Sequence, residues 1–212
     1  MALSLGSSLA DKIYLGATEV ALAYFGATQV YTSSAFSAEA QNYFDRLDTA
    51  GDTTYTAYKQ PLANYIDGLV TLGGAYWDTM LSSTSFVGVG IQGVTVPLRD
   101  GMTVPTNNNF VASDLNQLTG LKGDGSTKYV NTGLSSSVMS LNDTSISVYQ
   151  TTASTTDTNW LLGNAQFSAL RSNGNMYVNG PVAFIGAPVS PSLYGGSRAS
   201  STNIDTRANG TT

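Results

Sequence analysis

Tyr14-Leu15-Gly16-Ala17-Thr18-Glu19-Val20 is followed ten residues later by Tyr24-Phe25-Gly26-Ala27-Thr28-Gln29-Val30, two copies of one decapeptide in tandem. Each copy alternates large apolar residues with small or polar ones about a central glycine, the period-2 pattern of a strand bent at Gly16 or Gly26. Two such strands are expected to pair with each other. A pair this small is only marginally stable in water, and it leaves Ile13, Leu15, Val20, Leu22, Phe25 and Val30 to be covered by a further partner. Residues 1–33 therefore read as an attachment element, with those six side chains and the two glycines Gly16 and Gly26 as the candidate interface.

Downstream of the tandem the period changes. Ser37 offers an oxygen to cap a helix, and Ala40, Tyr43, Phe44 and Leu47 follow at i, i+3, i+4 and i+7, one apolar face that stops near Gly51. A second helical row runs Tyr58, Leu62, Tyr65, Leu69, Leu72, with Pro61 tolerated only in its first turn. After Gly73-Gly74, the cluster Tyr76, Trp77, Met80, Leu81 predicts a third, short helix. Residues 34–84 thus form a helical segment, and Tyr43, Phe44, Tyr65 and Trp77 are expected in its core. From Phe86 the pattern becomes Val-rich alternation (Val87, Val89, Ile91, Val94, Val96) cut by glycines, which predicts a β-rich connector over 85–105. Beyond it, candidate strands fall at 118–122, 128–130, 145–150, 160–163, 169–171, 176–178, 182–185 and 204–207, separated by Gly, Asn and Ser turns. Short strands at this spacing argue for an antiparallel β-sandwich or jelly roll over 106–212. The expected class is α+β, mainly β.

Composition narrows the chemistry. The chain has 212 residues, enough to bury about 70% of its unfolded surface without staples, and it contains neither cysteine nor histidine. Disulfides, thiolate metal sites and the commonest general base are excluded together. Charged residues are only 11% of the chain and the net charge is −5, with nine basic residues scattered from Lys12 to Arg207. An acidic chain without a basic patch has no electrostatic basis for binding nucleic acid. The opening Met1–Ser8 lacks the basic and apolar regions of a secretory signal, and no apolar run approaches membrane-spanning length. A soluble product made in a cytoplasm, with no membrane insertion, is the expectation.

The run Pro105-Thr106-Asn107-Asn108-Asn109-Phe110-Val111 through Leu121-Lys122-Gly123-Asp124-Gly125-Ser126-Thr127-Lys128-Tyr129-Val130-Asn131-Thr132-Gly133 resembles a recurrent tract in tailed-bacteriophage virion proteins, where a similar Gly-Asp-Gly-Ser-Thr-Lys-Tyr run opens a concanavalin-like, laminin-G-type jelly roll. The order of tandem Leu-Gly-Ala-Thr units, a helical segment with a Trp, then a jelly roll is also similar to phage tail-fibre and accessory structural proteins. The resemblance implies a virion structural protein, a tail fibre or tail-associated adaptor. A capsid decoration or head-fibre protein and a host glycan-binding module are the alternatives. It further implies other virion proteins as partners and a homo-oligomer of trimeric type; separately, the fourteen acidic residues are spread over the chain with no recognisable paired site, so no enzyme activity is expected. The segment Arg207–Thr212 resembles a hairpin from the later part of such a fold, which ordinarily continues further, so the jelly roll is expected to be short or incomplete.

Three constellations bear on chemistry. Gly123-Asp124-Gly125-Ser126 has the look of a cation or phosphate loop, but it lacks the acidic companions that calcium needs. A tight turn in which Asp124 bonds its own backbone is the expectation. Asp45, Asp48 and Asp52 gather at the end of the first helix, where a solvated helix terminus is expected rather than a catalytic carboxylate pair. Tyr149 and Trp160 fall in strands whose faces the sequence leaves open, and Asn142 and Asn209 sit in glycosylation-type triplets without a secretion signal. No cofactor and no metal are expected.

Overall fold

The computed structural model describes residues 36–72, 74–138, 143–151 and 192–200, and outside these the strand backbones 14–15, 18–19, 22–25, 28–32, 160–162, 170–171, 175–177, 182–184 and 204–208. Four short strands come first: β1 (Tyr14–Leu15), β2 (Thr18–Glu19), β3 (Leu22–Phe25) and β4 (Thr28–Thr32). A helical unit follows. Ser37 caps α1 (Ala38–Thr49) by accepting the Ala40 N–H at 3.1 Å. The helix ends in a Schellman arrangement. Gly51, at φ +76°, donates to the Asp48 carbonyl, and the Asp52 N–H reaches back to Leu47 at 2.9 Å.

A 3-10 turn over Thr54–Tyr58 runs straight into α2 (Lys59–Thr71), with Pro61 in its first turn, where its missing N–H has no helical partner to lose. The short α3 (Gly74–Thr79) completes the unit. Ala40, Tyr43, Phe44 and Leu47 are all fully buried, as the i, i+3, i+4, i+7 spacing requires. Tyr55 stacks on Phe44 with ring centroids 5.4 Å apart, while Phe36 meets the same ring edge-on at 5.0 Å. Leu62, Ala63, Ile66 and Trp77 close the core from α2 and α3. Each large apolar side chain buried here contributes about 1.5–3 kcal/mol.

The strand expected over Phe86–Val96 does not form. This stretch is a series of bends with one 3-10 turn at Gly93–Thr95, and it drives Val89, Val94, Val96 and Leu98 into the helical core. The reason is local. Gly88 adopts φ +70°, which breaks extended geometry, and the Gly90 N–H is taken by the Asp52 carboxylate at 2.6 Å instead of by a neighbouring strand. Two arginines then fasten the segment. Arg46 donates to the carbonyls of Pro97 and Leu98 at 3.0 and 2.9 Å, and Arg99 to those of Asp78 and Met80 at 3.1 and 3.0 Å.

Among the described residues no sandwich or jelly roll is formed, and the expected fold class is corrected accordingly to a mixed α+β chain whose described core is helical. Residues 106–131 carry two small antiparallel pairs. β5 (Thr106–Asn108) pairs with β8 (Tyr129–Asn131), enclosing β6 (Leu115–Asn116) and β7 (Gly120–Leu121), which pair with each other. Strands of two or three residues cannot present a continuous apolar face to a second sheet. Their polar residues bond locally instead, as when Asn116 Oδ1 accepts the N–H groups of Leu118 and Thr119.

Further along, β9 (Thr144–Gln150) is followed by a four-stranded meander of β10 (Trp160–Leu162), β11 (Leu170–Arg171), β12 (Asn175–Tyr177) and β13 (Val182–Phe184). Then β14 (Ser192–Arg198) inserts between β9 and β15 (Ile204–Ala208), with Ser147 opposite Gly195 and Gly195 opposite Arg207. The strands expected from the sequence do not include β14, yet it is the central strand of its sheet.

Candidate attachment interface

The decapeptide tandem forms two hairpins. β1 pairs with β2 (Tyr14 opposite Glu19, Leu15 opposite Thr18), and β3 pairs with β4 (Leu22 opposite Thr32, Phe25 opposite Thr28). The expected pairing between the two copies is therefore corrected: each copy closes on itself. Only two residues separate the strands in each, the loop length of the tightest hairpins, for which glycine in the first loop position is the favoured chemistry. Leu15-Gly16-Ala17-Thr18 and Phe25-Gly26-Ala27-Thr28 both carry that signal.

Of the candidate interface residues, Leu15, Leu22, Phe25 and Val30 lie in the described strands. Val30 sits where the β3–β4 register skips between Ala23 and Tyr24, so the second hairpin is bulged. Ile13, Gly16, Val20 and Gly26 lie outside the described residues. Among the described residues neither hairpin joins a wider sheet. No family model, curated protein or solved structure matches the chain.

The other candidate groups are occupied by the fold itself. Asp124 Oδ1 accepts the N–H groups of Ser126, Thr127 and Lys128 at 2.8–2.9 Å, and its second oxygen accepts the Thr127 hydroxyl. The Thr127 hydroxyl first, and then the backbone donors, hold this carboxyl well below the usual range. A carboxylate so engaged closes a turn around Gly125, at φ +75°. Beside it Lys128 Nζ lies 2.7 and 2.8 Å from the two oxygens of Asp114 and lowers that group's pKa as well.

At the end of α1, Asp45 accepts from Gln41 Nε2 at 2.7 Å and Asp48 from the Tyr55 hydroxyl at 2.8 Å. Asp52 departs from the solvated helix end expected of it. It is buried, and it accepts the N–H groups of Thr54 and Gly90 at 2.8 and 2.6 Å. The Schellman geometry causes this, because it turns the residue after Gly51 back toward Leu47, where an apolar side chain usually packs. Burial, and next the charge of Asp52, push the Tyr43 hydroxyl far above its ordinary pKa.

A shallow groove of about 200 Å³ lies between α1 and the segment 98–100, lined in part by Glu39, Arg46, Trp77, Arg99 and Asp100. Its two arginines already donate to backbone carbonyls, Arg46 to Pro97 and Leu98 and Arg99 to Asp78 and Met80. Among the described residues no three acidic side chains converge as a metal site, and no helix is long and apolar enough to cross a membrane. Tyr65, expected in the core, is 51% exposed, and Tyr149 is 60% exposed. The side chains of Trp160, Asn142 and Asn209 lie outside the described residues.

Proposed function

We propose that this chain is a structural component of a tailed-phage virion, a tail fibre or tail-associated adaptor, attached through its N-terminal hairpins. One observation carries the reading. Two consecutive hairpins, each of only two strands and neither joined to a wider sheet among the described residues, are marginal alone and gain stability by docking onto another surface. Open strand edges supply the backbone donors and acceptors for that docking, as in strand addition to a neighbouring sheet. The resemblance of residues 105–133 to phage virion tracts supports the setting. The helical unit then acts as a collar between the anchor and the β-rich remainder, and the low-charge, polar surface suits a particle exterior.

Deletion of residues 1–33 tests the reading, since it removes both hairpins and leaves the Ser37 cap intact. Soluble protein that no longer enters particles is the expected result. Normal incorporation of the deletion variant would refute the anchor, and density for the chain confined to capsomer faces would assign it to the head instead of the tail.

A further inference from the structure

The two copies of the decapeptide are alike in structure as well as in sequence. Tyr14 stands opposite Glu19 and Leu15 opposite Thr18; ten residues on, Tyr24 stands opposite Gln29 and Phe25 opposite Thr28. The residues between the paired strands are Gly-Ala in both copies. Beyond its bulge the second hairpin adds two further pairs, Ala23 with Tyr31 and Leu22 with Thr32.

Hairpin formation accounts for only part of this likeness. The two-residue loop calls for glycine at Gly16 and Gly26, and strands favour the class to which Tyr, Thr and Val belong. Neither rule calls for the same member of that class at the same place twice. Yet Tyr14 matches Tyr24, Thr18 matches Thr28 and Val20 matches Val30. Where the paired positions differ the change is narrow: Leu15 against Phe25, both apolar, and Glu19 against Gln29, which share chain length and an acceptor oxygen but not charge.

The placement of the two units adds a second constraint. They do not pair with each other, and among the described residues neither joins another strand. Only Val20 and Ala21 separate β2 from β3. Glu19 and Leu22 are therefore three Cα–Cα steps apart, at most about 11 Å. Two separate units that repeat the same residues on so short a tether fit a partner that offers one site twice.

Resting on the attachment reading above, we propose that the two hairpins are interchangeable docking units that fill two equivalent, adjacent sites on a protein partner, whose surface repeats one strand-accepting feature at that spacing. Because Glu19 and Gln29 take the same place, the feature supplies a hydrogen-bond donor and not a counter-charge. The tether makes the second contact intramolecular, so the pair binds about 10²–10⁴-fold more tightly than either hairpin alone.

The probe is particles assembled without this chain, to which the purified full-length protein and its variants are added. Deletion of residues 14–23 and deletion of residues 24–33 each leave one repeat, the Ser37 cap and the helical unit. Each should weaken binding by about 100-fold or more, and by similar factors. Phe25→Leu combined with Gln29→Glu makes residues 24–30 a copy of residues 14–20 and should bind like the parent, as should Glu19→Gln. The proposal is overturned by a single deletion that binds like the parent, by two deletions whose affinities differ more than about tenfold, or by loss of binding in the copied-repeat variant or Glu19→Gln. Parent-like binding after deletion of all of residues 1–33 is a separate outcome, which refutes the attachment reading itself and this inference with it.

Discussion

Gly93→Ala should destabilise the protein by about 3 kcal/mol, although it adds a single methyl group. Gly93 is buried and its φ is not positive, so alanine suits its backbone and the penalty is entirely steric. The new Cβ would run into Asp52 Oδ2 and would stand 2.8 Å from Val89 Cβ and 2.9 Å from Leu47 Cδ2. None of the three yields easily. The Asp52 oxygen is held by the Gly90 N–H, Leu47 is fully buried in α1, and Val89 Cβ moves only with its backbone. Overpacking costs about 1–3 kcal/mol, and three simultaneous collisions put this site at the upper end. For a chain of this size the melting temperature should fall by about 6–12 °C.

Gly51→Ala is the contrast. At φ +76° with no atom within 4 Å of its Cβ, that position is strained but roomy, and alanine should cost about 1 kcal/mol. A double-mutant cycle with Asp52→Ala isolates the mechanism. Alone, Asp52→Ala strands the Thr54 and Gly90 N–H groups and should cost about 2–3 kcal/mol. Combined with Gly93→Ala it vacates the space the methyl needs, so the pair should fall short of additivity by about 1 kcal/mol or more. Urea unfolding with an unchanged m-value is the assay. Gly93→Ala protein within about 0.5 kcal/mol of the parent, or strict additivity in the cycle, would refute the packing account.

Ser37→Ala should cost about 1–2 kcal/mol in the same assay, because it removes both the cap on Ala40 and the link to Asp67 on α2; Ser37→Asp should keep the cap but set a charge against Asp67, losing stability at pH 7 and regaining part of it in acid. For the turn at Asp124, the folded pKa is depressed, so its stabilisation is fully present above the unfolded value of about 3.9 and is lost as pH falls through the folded value. Amide shifts of Ser126, Thr127 and Lys128 followed from pH 6 downward should hold steady through about pH 4, and a transition centred there or higher would count against the hydrogen-bonded carboxylate.

Local order was legible wherever short-range spacing decides it. The row Ala40, Tyr43, Phe44, Leu47 could satisfy its burial only as a helix, and Ser37 and Gly51 marked its ends, so α1 matches its expected bounds almost residue for residue. The tandem was equally visible as strand-forming, and eight strands expected beyond residue 117 have counterparts in β7 to β13 and β15. Pairing partners were not legible, because hydrogen-bond partner choice leaves no trace in a strand's own alternation. Residues 14–32 are compatible with pairing between the copies or within each, and the two-residue separation favours the latter. Similarly, β9 carries nothing that names β14, whose Ser147–Gly195 pairing spans 48 residues of chain.

From its sequence alone this chain is settled as free of cysteine and histidine and poor in charge, and a helical segment over 34–84 with strands before it and beyond residue 117 was legible in outline, since these depend on residue identity and on contacts within a few positions. Only tertiary structure decided that Asp52 is buried, that Val89 and Val94 belong to a helical core instead of a sheet, and that Tyr65 faces outward. The first was set by Gly90 arriving to meet the carboxylate, the second by glycines that let the chain bend over α1, and the third by a core already filled by Leu62, Ala63 and Ile66. A side chain's burial is a property of what packs on it, and alternation along one strand or helix face cannot record what that will be.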